Sequence, residues 1–201
     1  GVITSENMPA QIRQLRANLI TDNDVMSTVY EYGLALALAR DLAFDESHSL
    51  LQRLREEHPL NIPFMIAEAE TYEMEQKAGR AVELLEAALA INTNNYPLSV
   101  KLAESLITDR KPHAALDILI PITIDRPNDE YAWYLLAEAY GLASNVPGVH
   151  EARAEFFVLN GNFDQSIKQL GYALPLVRHN FQRSARIRQR QQEIWELKDG
   201  D

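Results

Sequence analysis

The stretch YAWYLLAEAYG, from Tyr131 to Gly141, contains a small residue, Ala137, among large apolar side chains. A small residue recurs every 34 positions before it, and a Leu or Tyr follows three residues later each time. The first column contains Ala35, Ala69, Ala103 and Ala137, and the second contains Leu38, Tyr72, Leu106 and Tyr140. A fixed period of this length predicts an array of similar structural units.

A second set of columns lies twelve residues further on in each unit. Its members are Ser47, Ala81, Ala115 and Val149, followed four residues later by Leu51, Leu85, Leu119 and Arg153. The units end near residues that mostly disfavour a continuing helix, namely Pro59, Thr93, Pro127 and Gly161. Two antiparallel helices approach closely only where a small side chain leaves room, so each unit predicts a pair of packed helices.

These columns resemble the tetratricopeptide repeat, whose pattern is W-x2-L-G-x2-Y, then A-x3-F, then P. The fourth unit matches it best, with Trp133, Leu136, Ala137 and Tyr140, and the resemblance covers about Val25 to Gly161. It implies an all-α fold, a right-handed α-solenoid of about four to five tetratricopeptide-like helix pairs with a terminal capping helix.

Helix boundaries follow from the turn residues between the apolar runs. The predicted helices span 9–20, 27–41, 44–57, 62–76, 79–91, 96–108, 112–124, 130–143, 147–160, 163–177 and 181–197. We expect three regions: an N-terminal linker and helix over 1–26, a repeat array over 27–178, and a basic capping helix and tail over 179–201. Arg183 lies where the period calls for a small residue, as expected of a polar cap.

Composition supports a helical chain and limits its partners. Of the 201 residues 46% are apolar, with 8 Gly, 9 Pro and no Cys, which excludes disulfides and Cys-ligated zinc. The net charge of −10 argues against general nucleic-acid binding, because such binding uses a basic surface to displace counterions. No window approaches the roughly 18 to 20 apolar residues that cross a bilayer, so no transmembrane segment is expected.

A near match to a zinc-protease motif occurs at His150-Glu151-Ala152-Arg153-Ala154. The motif H-E-x-x-H needs a second His on the same helical face, and Ala154 stands in its place. We therefore interpret Ala152 and Ala154 as packing residues, and we predict no catalytic residue, metal ligand or cofactor in this chain. The sequence also lacks the phosphate-binding and nucleophile motifs G-x-x-x-x-G-K-[ST], G-x-G-x-x-G and G-x-S-x-G.

Two further 34-residue columns suggest a partner-binding groove. Glu70, Glu104 and Glu138 each follow the small residue, and Tyr32, Ile66, Val100 and Tyr134 form an apolar column on the same face. Such a surface fits an extended or helical protein segment with basic and apolar groups. The alternative is that Glu is simply a good solvated helix residue here. Glu in this column argues against the peptide carboxylates that clamp-type chaperone adaptors hold with Lys, Arg and Asn.

Basic residues cluster near the C-terminus. Between Asp164 and Glu193 there are six basic residues and no acidic one, giving +6 against −16 elsewhere. Those assigned to the basic terminal helix are Arg178, Arg183, Arg186, Arg188 and Arg190. This helix could contact anionic lipid or an acidic partner, or it could be a solvated cap that complements acidic neighbours.

The segments NVPGVHEARAEFFVLNGNFDQSIKQL (Asn145 to Leu170) and RSARIRQRQQEIWEL (Arg183 to Leu197) are more particular than a generic repeat. With YEYGLALALA from Tyr30, they resemble the C-terminal repeat region of the BepA-like β-barrel assembly-enhancing proteases. These are periplasmic zinc metalloproteases of Gram-negative bacteria. The resemblance implies an N-terminal peptidase domain that holds the zinc and the real H-E-x-x-H.

In that family the repeats dock against the peptidase domain and restrict access to its zinc site. They also contact the outer-membrane β-barrel assembly machinery and its clients, such as the lipopolysaccharide transport barrel. The resemblance thus implies a periplasmic domain that recognises protein partners or substrates, and it supplies no zinc ligand here.

Two rival interpretations come from other classes. The chain could be a free-standing scaffold or assembly protein with no attached protease, or it could itself be a hydrolase. The first residue is Gly rather than Met, from which we expect a piece of a longer protein. A sequence that encodes H-E-x-x-H before Gly1 would favour the protease interpretation.

Overall fold

The computed structural model describes residues 7–21 and 26–200, and within these ranges it contains eleven α-helices and no strand. The helices are α1 (Met8–Thr21), α2 (Ser27–Arg40), α3 (Phe44–Glu57), α4 (Ile62–Met74), α5 (Ala78–Ile91), α6 (Tyr96–Thr108), α7 (Pro112–Asp125), α8 (Glu130–Leu142), α9 (Val146–Leu159), α10 (Phe163–Leu176) and α11 (Phe181–Gly200). Each predicted helix is present with ends within two residues, except that α11 runs to Gly200 rather than 197.

The chain divides into two compact units. Unit 1 ends at Ser105 and holds α1 to α5 with most of α6, and unit 2 begins at Leu106 and holds α7 to α11. The three predicted regions, 1–26, 27–178 and 179–201, stay a prediction. Residues 1–6, 22–25 and 201 of those regions lie outside the described residues.

The small-residue columns form the contacts between helices. Five alanines of these columns are fully buried, namely Ala35, Ala69, Ala81, Ala103 and Ala115. Three leucines of the second set of columns are fully buried as well, namely Leu51, Leu85 and Leu119. Ser47 is also fully buried, and its hydroxyl donates to the carbonyl oxygen of Ala35 at 2.8 Å. The columns therefore place one helix against the next, as the 34-residue period predicts.

The second set of columns does not mark the buried face of α9, because Val149 is only partly buried and Arg153 is exposed. Ala152 and Ala154 are buried instead. A Cβ atom on Gly148 would lie 2.8 Å from the Tyr140 ring, so the ring of Tyr140 packs directly on the backbone of α9. This close contact moves the buried face of α9 away from the column positions.

The turns inside the helix pairs repeat the same backbone geometry. Leu42, Gln76, Arg110 and Ser144 lie 34 residues apart and have left-handed φ values of 58° to 63°. The next residue in each turn donates its N–H to a carbonyl five residues back, for example Lys77 to Tyr72 at 2.8 Å and Asn145 to Tyr140 at 2.9 Å. This is the Schellman geometry, which satisfies carbonyl groups at the end of a helix.

Candidate functional site

The predicted groove face of unit 1 centres on a buried lysine that joins α4 to α6. The Nζ of Lys101 lies 2.7 Å from Oε2 of Glu73, 3.2 Å from Oε2 of Glu104 and 3.9 Å from Oε1 of Glu70. The hydroxyl of Ser105 donates to the other oxygen of Glu73. We call these five residues the Lys101 cluster.

Lys101 is held as a cation, although its side chain is only 8% exposed. Burial by itself would lower the pKa of Lys101, but Glu73, Glu104 and Glu70 outweigh it and raise this pKa above 10.5. Three carboxylates face one ammonium group, so the Lys101 cluster keeps a net negative charge. Glu70 carries much of it at the surface, because its side chain is 53% exposed.

The other predicted groove residues of unit 1 lie at different depths. Tyr32 packs on Phe64 with ring centroids 5.1 Å apart, and burial followed by the charge of Glu70 raises the pKa of its phenol. Ile66 is partly buried. Val100 is only 9% exposed, so it belongs to the core and offers little surface to a partner. The accessible face of unit 1 therefore consists of Tyr32, Ile66, Glu70 and Glu104, and we call it the unit 1 face.

In unit 2 the predicted groove residues Tyr134 and Glu138 are both exposed on α8. The Tyr134 ring stacks on Tyr131, with centroids 6.1 Å apart and planes at 15°, and it lies 6.3 Å from the ring of Phe156 on α9. Tyr131 and Tyr134 are each 46% exposed. Unit 2 thus presents an aromatic surface beside a carboxylate, a kind of surface that is enriched in protein interfaces.

The five arginines of the basic terminal region divide into two groups. Arg183 pairs with Glu151 at 2.6 Å, and Arg190 binds Glu155 through two nitrogens at 2.8 and 2.7 Å. These two arginines fasten α11 to α9, which agrees with the interpretation of a cap that complements acidic neighbours. Arg178, Arg186 and Arg188 are exposed.

The residues of the zinc-like motif serve packing and pairing. Ala154 is fully buried, and its carbonyl accepts a hydrogen bond of 2.8 Å from the hydroxyl of Ser166 on α10. Nδ1 of His150 lies 2.7 Å from Oε1 of Gln169, and Glu151 is bonded to Arg183. Across the described ranges, no group of three His, Asp or Glu side chains is arranged to hold a metal ion.

Sequence reasoning missed a second polar group in unit 1. Glu68 is buried and forms an ion pair with Arg55, and burial raises the pKa of Glu68 although Arg55 and His48 oppose this effect. The imidazole of His48 stacks on Tyr72 at 4.0 Å and lies 3.2 Å from Glu75. Apart from Tyr72, these residues stand in no column of the repeat, so periodicity gives no sign of their pairing. None of the helices between residues 7 and 200 that the structure describes is long and apolar enough to cross a membrane.

Residues 72–139 match the family model of the tetratricopeptide repeat. Residues 72–139 therefore carry tetratricopeptide repeats. The all-α fold of helix pairs is also found in a tetratricopeptide repeat protein from Parabacteroides merdae, with a TM-score of 0.60 and 12% identity over 94% of this chain and 87% of that one. MamA from Desulfovibrio magneticus RS-1 gives a TM-score of 0.58 and 16% identity over 87% and 96% of the two chains.

YrrB, described as a tetratricopeptide repeat protein with an unusual peptide-binding site, gives a TM-score of 0.58 and 13% identity over 81% of this chain and 83% of its own. At these identities the likeness shows the fold alone. It confirms the predicted fold class of tandem helix pairs.

The curated relatives are β-barrel assembly-enhancing proteases. The protein of Yersinia pestis is 32% identical over 143 residues, which cover 71% of this chain and 29% of that protein. The protein of Escherichia coli K12 is 29% identical over 169 residues, which cover 84% and 34%. The chain therefore spans about a third of the length of the curated relatives it matches, and its resemblance to this protease family is confirmed.

Proposed function

We propose that this chain is the protein-binding repeat region of a β-barrel assembly-enhancing zinc metalloprotease that acts in the periplasm. The observation that carries this proposal is the similarity of the chain to about a third of the length of such proteases. In the proposed protein, a separate peptidase domain holds the zinc and cleaves the substrate. The repeats recognise partners or substrates and regulate access to that domain.

The exposed groups favour a particular partner chemistry. The unit 1 face combines the carboxylates of Glu70 and Glu104 with the ring of Tyr32, and unit 2 presents Tyr134 with Glu138. Protein segments that carry basic and apolar side chains complement both surfaces. The partners we propose are the peptidase domain itself, the outer-membrane β-barrel assembly machinery and β-barrel clients such as the lipopolysaccharide transport barrel.

Photo-crosslinking in cells tests this proposal. Photo-reactive residues at Tyr32, Glu104 and Tyr134 in the full-length protein should crosslink to subunits of the assembly machinery or to a β-barrel client. Glu86, an exposed residue of α5, provides the control position. Labelling no stronger at the three positions than at Glu86 would contradict partner binding by these surfaces.

The gene sequence tests the link to a protease separately. We expect a peptidase domain with H-E-x-x-H to precede this region in the parent protein. A parent protein without that motif would favour the alternative, a free-standing scaffold or assembly protein.

A further inference from the structure

The turn between α10 and α11 carries two large apolar side chains in solvent. Leu176 ends α10 and is 51% exposed, and Phe181 begins α11 and is 80% exposed. Phe181 is the most exposed aromatic side chain among the described residues. The N–H of Asn180 donates to the carbonyl oxygen of Val177 at 2.8 Å, so a tight turn joins the two helices. Leu176 and Phe181 therefore flank this turn at one end of unit 2.

Hydrogen bonds hold the turn in this conformation. The side-chain oxygen of Asn180 accepts the N–H of Arg183 at 3.0 Å and caps α11. The hydroxyl of Ser184 donates to the carbonyl oxygen of Val177 at 3.0 Å, and both of these residues are buried. Phe181 lies between these fixed points, so its ring cannot reach the core unless the cap and the turn open.

Two exposed arginines near the turn keep their charge unpaired. Nε of Arg178 donates to Nε2 of His179 at 3.1 Å, and a ring nitrogen that accepts a hydrogen bond does not neutralise the guanidinium. Arg188 follows Phe181 by seven residues, so it lies on the same side of α11, about 10.5 Å further along the axis. Within the ranges that the structure describes, neither Arg178 nor Arg188 forms an ion pair.

No Asp or Glu occurs from residue 165 to residue 192, and the acidic residues of α11 lie in its C-terminal half. We call Leu176, Arg178, Phe181 and Arg188 the end patch. The end patch is apolar and cationic, although the whole chain has a net charge of −10. A second copy would present the same positive charge and be repelled, so the end patch complements an anionic occupant.

We infer that the end patch docks on an anionic phospholipid surface. Phe181 and Leu176 enter the interfacial region of the bilayer, and the guanidinium groups of Arg178 and Arg188 contact lipid phosphates. Apolar side chains combined with cations are typical of helices that lie on a membrane, and an anionic surface attracts arginines close to it. An acidic protein segment is less suitable, because Phe181 protrudes into solvent instead of lining a groove that would hold a segment.

Vesicle co-sedimentation with the whole 201-residue chain tests the inference. The vesicles contain phosphatidylcholine alone, or equal amounts of phosphatidylcholine and phosphatidylglycerol. We expect at least about tenfold stronger binding to the anionic vesicles, because each arginine near such a surface contributes about fivefold. About 1 M salt should remove most of this preference, since it shortens the screening length to about 3 Å. Equal binding to both kinds of vesicle would overturn the inference.

Two arginines of unit 2 give a matched pair of variants. Arg188 belongs to the end patch, whereas the exposed Arg153 lies on the side of α9 away from Glu151 and Glu155, which face α11. Arg188→Gln should weaken binding to anionic vesicles by about fivefold, and Arg153→Gln should change it by less than about twofold. Both side chains are exposed, so neither variant should affect folding. Equal effects of the two variants would contradict docking by the end patch.

Phe181→Ser separates a lipid surface from an acidic protein. It should weaken binding to anionic vesicles by roughly fivefold, because less apolar area enters the bilayer. Unchanged vesicle binding by this variant would reject the lipid surface, and so would binding of soluble polyglutamate as tight as that of the vesicles. None of these results depends on crosslinking at Tyr32, Glu104 or Tyr134, so this surface and the proposed partner surfaces can fail separately.

Discussion

Lys101 is the residue on which the polar structure of unit 1 depends. It is the common partner of three carboxylates, and the two helices that supply them would otherwise bring like charges together. Breaking a buried ion pair by removing one partner destabilises a protein more than losing a surface pair, because a desolvated charge stays behind.

Lys101→Met should therefore lower the free energy of unfolding by about 2 to 4 kcal/mol, since Glu73 and Glu104 would lose their cation. Urea denaturation followed by circular dichroism measures the change. Lys77→Met is the control, because Lys77 pairs with Glu75 at the surface and its loss should cost at most about 0.5 kcal/mol. Equal losses for both variants would contradict a structural role for Lys101.

The contribution of Lys101 should also depend on pH. Its folded-state pKa is raised, so its contribution is fully present below the unfolded-state pKa of 10.5 and is lost as pH rises through the higher folded-state value. The stability difference between wild type and Lys101→Met should be constant from pH 7 to 9 and should shrink above about pH 10.5. A difference that stays constant to pH 12 would contradict this ion-pair assignment.

Individual residues were predictable from the sequence only where a column of the repeat contained them. Ala103 and Leu119 were predictable because burial recurs at 34-residue spacing. Lys101 was not, because its pairing with Glu73 depends on how far a side chain reaches across two helices. Val100 stands in the apolar column with Tyr32, and only the packing of α6 shows that it is buried.

At the scale of elements, the turns within helix pairs hold non-glycine residues in a left-handed conformation. Leu42, Gln76, Arg110 and Ser144 all have positive φ, which costs an L-residue about 1 to 2 kcal/mol relative to the right-handed region. The Schellman hydrogen bonds and the packed helices on either side maintain this conformation.

Gln76→Gly should raise the free energy of unfolding by about 0.5 to 1 kcal/mol, because glycine relieves the left-handed strain. The greater entropy of glycine in the unfolded chain offsets only part of this gain. Gln76→Ala keeps the Cβ atom and should change it little. The midpoint of urea denaturation measures both variants. If the two variants prove equally stable, the left-handed turn is not a source of strain.

The glycine under Tyr140 gives a second test at this scale. Gly148→Ala would push a Cβ atom against the base of the ring, whereas the nearest atom to a Cβ on Gly171 of α10 would be 3.8 Å away. Gly148→Ala should therefore be about 1 to 3 kcal/mol less stable than Gly171→Ala, although both gain helix propensity. Thermal denaturation compares them, and a Tyr140→Leu background should remove most of the difference.

Helix boundaries were predictable because turn residues mark them in the sequence. The columns alone gave the wrong register for α9, because Tyr140 packs on Gly148, but Ala152 and Ala154 were correctly interpreted as packing residues.

At the scale of the whole molecule, acidic charge is unevenly distributed along the sequence. Residues 1–105 contain 16 acidic and 8 basic residues, and residues 106–201 contain 13 and 11. Charge of one sign steers oppositely charged partners and weakens with added salt. A charge substitution can therefore weaken binding through its position on the unit 1 face or through the change in net charge, and a test must separate the two effects.

Glu70→Lys should weaken binding of the proposed protein partner by roughly tenfold, if loss of a favourable contact and a new repulsion together cost about 1.4 kcal/mol. Glu86→Lys changes the net charge equally from an exposed position on α5 and should have a much smaller effect. Surface plasmon resonance with the purified β-barrel assembly machinery measures both. Equal weakening would show that total charge, rather than the unit 1 face, attracts the partner.

The identical turns also bear on how a chain of this kind can change length. Because residues 42, 76, 110 and 144 share one backbone geometry, excising or duplicating a 34-residue stretch between two of them joins dihedral angles that already match. Gene duplication or unequal recombination at these codons can therefore alter the number of helix pairs without requiring a new turn. The left-handed residues therefore mark positions at which repeats can be joined, and the same positions suit the engineered insertion or removal of repeats.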